Sequence, residues 1–207
     1  VGGLVGKNNN IIGITIINCH ATGAVTGNGN GSQDDFGGLV GESFGSISNC
    51  FASCSVTTTG NQSQYAGGLA GSCVGEITNC FSTGIVAGTG GGQFYLGGLV
   101  GVQSYSGSLA ITNCYATGGV TGTRTGSGQF YVGGLVGGDA NITNSYATGA
   151  VTLTGNHSSS YVGGLMGYGG TVSGSFWDVN TSGQTTSAGG EGKTTAEMKT
   201  LATFTEA

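Results

Sequence analysis

Charge is what this chain has least of. Only 6% of its 207 residues are charged: four basic side chains, Lys7, Arg124, Lys193 and Lys199, face nine acidic ones, for a formal net charge of −5. Cations so few and scattered do not neutralise a run of phosphates, so no nucleic-acid partner is expected. Long apolar runs are also missing, and without the roughly twenty residues that a spanning helix needs, no membrane insertion is expected. Histidine is limited to His20 and His157. The sequence places no carboxylate beside either, and Arg124 reads as a lone cation in a loop, so acid–base catalysis has little to use and no enzymatic activity is expected. No Cys-x-x-Cys pair offers a tetrahedral zinc site, and Asp34-Asp35 reads as a solvated turn before it reads as a calcium site. No cofactor or metal is expected.

What the chain has instead is a period. The phrase Gly-Gly-Leu-x-Gly occurs six times, at Leu4, Leu39, Leu69, Leu99, Leu135 and Leu165, in steps of 35, 30, 30, 36 and 30 residues. A second phrase travels with it: Asn18-Cys19-His20, Asn49-Cys50-Phe51, Asn79-Cys80-Phe81, Asn113-Cys114-Tyr115 and Asn144-Ser145-Tyr146, decaying to Gly174-Ser175-Phe176. Steps of this length are typical of stacked repeat proteins. Forty-seven glycines would suit a disordered tract, but such a tract has no reason to hold its apolar residues in register. Short Val-, Ile-, Thr- and aromatic-rich stretches between Gly and Asn predict strands, with no helical period before Thr194. The expectation is an all-β parallel solenoid of about six coils, about 30 residues and three short strands per coil. At roughly 4.8 Å per coil it would be a rod on the order of 30 Å long. Residues 1–177 form this repeat body. Residues 178–207 form a capping segment in which Thr194-Thr195-Ala196-Glu197 opens a short helix, with Met198, Leu201 and Phe204 available to cover the end.

Equivalent residues then pile into columns. The six leucines form a core ladder, although they lie out of strand parity with the flanking columns Val1, Phe36, Ala66 and Val5, Val40, Ala70. The Gly-Gly pair is therefore read as a corner or bulge that turns leucine inward. Ile17, Ile47, Ile77, Ile111, Ile142 and Val172 form a further core column. Asn18, Asn49, Asn79, Asn113 and Asn144 form an amide ladder, and His20, Phe51, Phe81, Tyr115, Tyr146 and Phe176 an aromatic stack. Four cysteines share a column with Ser145 and Ser175, so that position asks for a small residue. Cys54 and Cys73 fall outside it and are the candidate disulfide pair. Insertions near Lys7–Asn10 and Val102–Ser108 are expected to protrude on one side.

The Gly-Leu-Val-Gly core, the Asn-Cys-Tyr-Ala-Thr-Gly phrase and the ending Phe176-Trp177-Asp178 through Gly183-Gln184-Thr185-Thr186 resemble the GLUG-motif repeats of bacterial surface adhesins and immunoglobulin-A peptidase-type proteins. The resemblance covers nearly the whole chain. It implies a right-handed parallel β-solenoid on an extracellular or cell-surface protein, and carries no catalytic residues with it. The sequence opens inside a repeat, so any leader is expected to have been removed. The function expected is structural or adhesive, with self-association of open coil edges into a head-to-tail filament or binding to a host or cell-surface receptor. The alternative is an ice- or sugar-binding face built on hydroxyl columns such as Thr26, Thr57, Thr121 and Thr152. A polysaccharide-active β-helix enzyme stands a distant third.

Overall fold

The computed structural model describes residues 1–9, 15–29, 31–103, 110–155 and 160–205. It is a parallel β-solenoid of about five turns, each roughly 30 residues long. One circuit shows the plan: Val40–Ser43, Ile47–Ser48, Phe51–Ala52, Ser55–Gly60 and Ser63–Gly67. Each strand pairs in parallel with its counterpart one turn away, as in Val56 beside Val86 and Ala66 beside Leu96. Numbered in that order, the resulting sheets I to V contain six, six, seven, five and five strands.

Five strands per turn replace the three expected, because two local devices cut the chain into shorter pieces. The first is the asparagine corner between sheets II and III, where Asn18, Asn49, Asn79, Asn113 and Asn144 all lie in the left-handed region, with φ between 48° and 55°. A strand cannot continue through such a residue, and asparagine tolerates it better than other side chains. The second is the Gly-Gly corner between sheets V and I. These glycines do not have left-handed φ values; they are needed for close approach. A Cβ on Gly37 would stand 1.9 Å from the Val40 carbonyl oxygen, and one on Gly98 2.1 Å from that of Gly134.

That corner settles the parity problem. Leu39, Leu69, Leu99, Leu135 and Leu165 are fully buried, as are Val40, Ala70, Val100, Val136 and Met166 directly after them. At each corner as far as Leu135 the Leu carbonyl one turn on accepts two backbone N–H groups, as when Leu69 O takes those of Leu39 at 2.9 Å and Val40 at 3.1 Å; at the Leu165 corner Ser187 Oγ takes that place. Leu4 departs from the column's burial. It keeps its ladder bond to Leu39 O at 2.9 Å but is 53% exposed, because it sits at the edge of the stack. The isoleucine column is also shifted in the first turn: Ile16, not Ile17, pairs with Ile47, and Ile17 points out, 49% exposed. Ile16 and Ile17 are identical residues and only one can face inward, so the sequence alone does not fix the register of this turn.

The last turn is sealed. Asp178 accepts the N–H groups of Asn180 and Thr181 to cap α1 (Val179–Ser182), which ends at Gly183 with φ 70°. The returning chain then runs over the coil edge: Thr186 O accepts from Gly164 N, Ser187 Oγ from Met166 N, and Glu191–Lys193 adds a seventh strand to sheet III beside Phe176–Asp178. The cap is thus mainly this extended segment. The expected capping box does form, with Glu197 Oε2 accepting from Thr194 N at 2.7 Å and Thr194 Oγ1 accepting from Glu197 N. It opens a single 3₁₀ turn followed by α2 (Leu201–Thr205), whose Leu201 is 76% exposed. No helix among the described residues is long and apolar enough to cross a membrane.

Candidate functional site

Each strand sends one set of side chains in and the other out, so the parallel register turns every outward position into a row along the rod. The asparagine row is hydrogen bonded through its amides: Asn79 Nδ2 donates to Asn49 Oδ1 and Asn113 Nδ2 to Asn79 Oδ1, both at 3.2 Å. In the last turn Gly174 takes the same position with φ 51°. The backbone therefore demands a left-handed residue, and the amide is an addition to that demand.

The aromatic row stands on the outer side of sheet III. Ring centroids lie 5.0 Å apart for His20–Phe51 and Phe51–Phe81, 4.8 Å for Phe81–Tyr115 and 5.1 Å for Tyr115–Tyr146, with planes within 8° of parallel. Phe204 of α2 closes the series by meeting Tyr146 and Phe176 edge-on at 5.7 and 5.8 Å. Rings stacked face to face along the axis present only their edges to solvent, so this row is a poor platform for stacking on a sugar. A second aromatic row had no counterpart in the sequence reading. Tyr65, Tyr95, Tyr131 and Tyr161 follow one another on sheet V, and Tyr95–Tyr131 approach to 4.4 Å. The signal was present, since tyrosine stands two residues before the Gly-Gly pair in four of the repeats. Burial, and then the neighbouring Tyr131, push the Tyr95 hydroxyl above its ordinary pKa.

The cysteine column does more than fill space. Each thiol donates to the carbonyl two residues back, as Cys50 Sγ does to Ser48 O at 3.1 Å and Cys80 Sγ to Thr78 O at 3.2 Å. Cys50, Cys80 and Cys114 also accept a backbone N–H from the preceding turn: Cys19 N on Cys50 Sγ, Cys50 N on Cys80 Sγ and Cys80 N on Cys114 Sγ. Ser145 and Ser175 repeat both bonds with oxygen, at 3.0 and 2.8 Å. The position therefore requires a small side chain that both donates and accepts, which is why Cys and Ser alternate there and Ala does not. Burial raises the Cys50 thiol to about 11.

All six cysteines are free, so the Cys54–Cys73 disulfide does not form. The two residues serve different corners. Cys54 Sγ lies against the Gly-Gly turn and donates to Gly38 O at 3.3 Å, while Cys73 ends a sheet I strand and donates to Gly75 O at 3.4 Å. Cys73 is fully buried, and burial lifts its pKa to about 12. Arg124 is also not in a loop. It closes a sheet IV strand, is 9% exposed, and donates from Nη2 to Ser127 O at 2.8 Å.

Sheet IV carries the most regular polar face. Thr26, Thr57, Ala87, Thr121 and Thr152 pair across turns in one outward row, and Asn28, Thr59, Thr89, Thr123 and Thr154 in the next. Lys7 and Val102 lie on sheet I at the corner toward sheet II, where the insertions begin; Asn10, residues 104–108 and His157 lie outside the described residues. A groove of about 730 Å³ runs beneath α2, lined among others by Tyr146, Thr148, Asp178, Met198 and Phe204. Asp178 there is buried and engaged by Asn180 N, Thr181 N and Thr195 Oγ1. Asp34 and Asp35 are not joined by further ligands: no group of three or more His, Cys, Asp or Glu side chains suited to a metal occurs among the described residues.

No curated protein and no solved structure matches this chain. Residues 128–152, most of one circuit from the sheet V strand through the Leu135 corner to the start of sheet IV, match the family model of the GLUG motif.

Proposed function

We propose that this chain is a non-enzymatic structural or adhesive solenoid of an extracellular or cell-surface protein, a rigid spacer that holds other surfaces apart or together. The observation that carries the reading is where the recurrent polar side chains spend their hydrogen bonds. The amides of Asn49, Asn79 and Asn113 and the Cys/Ser side chains bond along the rod axis to the neighbouring turn, and Asp178 is saturated by its own cap. Groups held this way stiffen the rod, and among the described residues they leave no acid–base pair aimed at a common point, which a hydrolytic or transfer reaction needs. The low charge and the resemblance to surface-protein repeats support an exported setting. The returning cap occupies the coil edge at the last turn, so that edge is closed to a second copy.

The test is antibody labelling and protease accessibility of the chain on intact cells of its source, with attachment to surfaces measured with and without added purified chain. Surface labelling together with competition for attachment is expected. A strictly internal pool, or turnover of a substrate by the purified chain, would overturn the proposal.

A further inference from the structure

Sheet IV is the place where the outer surface is plain enough to be read as a template. Its two threonine rows stand in register, so hydroxyl and methyl groups recur at ~4.8 Å from turn to turn and ~6.7 Å along the strand. The residues between them face inward, and in three turns they are glycines over which aromatic rings are pressed: a Cβ on Gly27 would lie 1.9 Å from Phe36, one on Gly88 2.9 Å from Phe94, and one on Gly122 2.9 Å from Phe130. Phe94 and Phe130 stack at 4.6 Å directly behind the sheet. The face is thus backed by rigid rings, and β-branched threonine has few rotamers with which to depart from the lattice.

Three features choose the occupant. No charged side chain points out from these strands, since Arg124 at the end of one is buried, so the face matches a neutral surface and not a phosphate, a basic peptide or an anionic membrane. It carries no aromatic ring and one amide, Asn28, and so lacks the ring faces and convergent polar groups that a soluble sugar site uses. Six residues by five turns give roughly 20 by 19 Å, about 400 Å², half of the ~800 Å² that each partner contributes to a stable protein interface. What remains is a partner that is flat, uncharged and periodic, and that gains from many identical weak contacts.

We propose that the outer face of sheet IV binds ice, with the threonine hydroxyls anchoring, and their methyl groups ordering, a layer of water that merges with the crystal. This goes beyond a spacer role and does not depend on it. The test uses the intact chain in a nanolitre osmometer and an ice-recrystallisation assay, alongside Thr89→Lys, Thr123→Lys and, on sheet II, Thr78→Lys, each checked by circular dichroism. Thermal hysteresis and faceted crystals are expected from the native chain, lost in the two sheet IV variants and kept in Thr78→Lys. Absence of crystal shaping by the native chain overturns the proposal whatever the variants do. So does hysteresis that survives both sheet IV substitutions, or binding to an insoluble polysaccharide in place of ice.

Discussion

Replacing Asn79 separates what its backbone requires from what its amide adds. Asn79 sits at φ 54° and takes part in two ladder bonds, donating to Asn49 and accepting from Asn113. Each bond contributes about 0.5–1.5 kcal/mol net, so their loss amounts to about 1–3 kcal/mol, toward the lower end at this exposed position. Alanine must in addition hold a left-handed conformation, at about 1–2 kcal/mol. Glycine avoids that strain but surrenders about 0.5–1 kcal/mol of backbone entropy. Asn79→Ala is therefore expected to cost about 2–5 kcal/mol, and to be the worse of the two by about 0.5–1 kcal/mol. In a chain of this size 1 kcal/mol moves Tm by about 2–4 °C, so urea titration and calorimetry both resolve the order. A cycle with Asn49→Gly reports the amide bond itself, with a coupling of about 0.5–1.5 kcal/mol expected. If alanine is tolerated as well as glycine, the left-handed corner is not what selects asparagine; if the cycle gives no coupling, the amide ladder contributes nothing.

Three further outcomes follow from the same geometry. Cys80→Ser keeps both hydrogen bonds, as Ser145 does, whereas Cys80→Ala strands the Cys50 N–H and is expected to lower stability by about 1–3 kcal/mol in chemical denaturation. Leu99→Ala empties a fully buried corner and should cost about 2–5 kcal/mol, while Leu4→Ala, at an exposed edge, should stay within about 1 kcal/mol. Because folding raises the Cys73 pKa from its ordinary 9 to about 12, the folded thiol keeps its proton after the unfolded one has lost it. Stability from this group is therefore whole below about pH 9 and declines as pH rises through 12, by up to about 4 kcal/mol; Cys73→Ser should flatten that alkaline limb.

The sequence was most readable where its period was strictest. Leu39 to Leu165 could be placed in one core row because the Gly-Gly-Leu phrase fixes both spacing and corner, even though strand parity argued against it. The number of strands per turn was not readable, because it depends on a backbone angle at Asn49 and its equivalents that composition does not reveal. The Ile16/Ile17 choice failed for want of contrast, since two adjacent isoleucines define no inward side. Cys54 and Cys73 were misread for a different reason. A cysteine outside the column looks like a leftover in need of a partner, whereas each thiol here satisfies a corner carbonyl, Gly38 or Gly75, and neither position repeats in a way that shows it. The position of the cap was not legible either: the extended segment before Thr194 carries no local signal, and its contacts with Met166 and Phe176 arise only from long-range return of the chain.

Leu165 lies fully buried beneath the returning segment, which is tied to Gly164, Met166 and the Phe176–Asp178 strand, and this gives the last turn a mechanical clamp. Strands held by such a cover open only after the cover is lifted, so cutting the chain between Ser182 and Glu191 is expected to lower the local opening energy of that turn first.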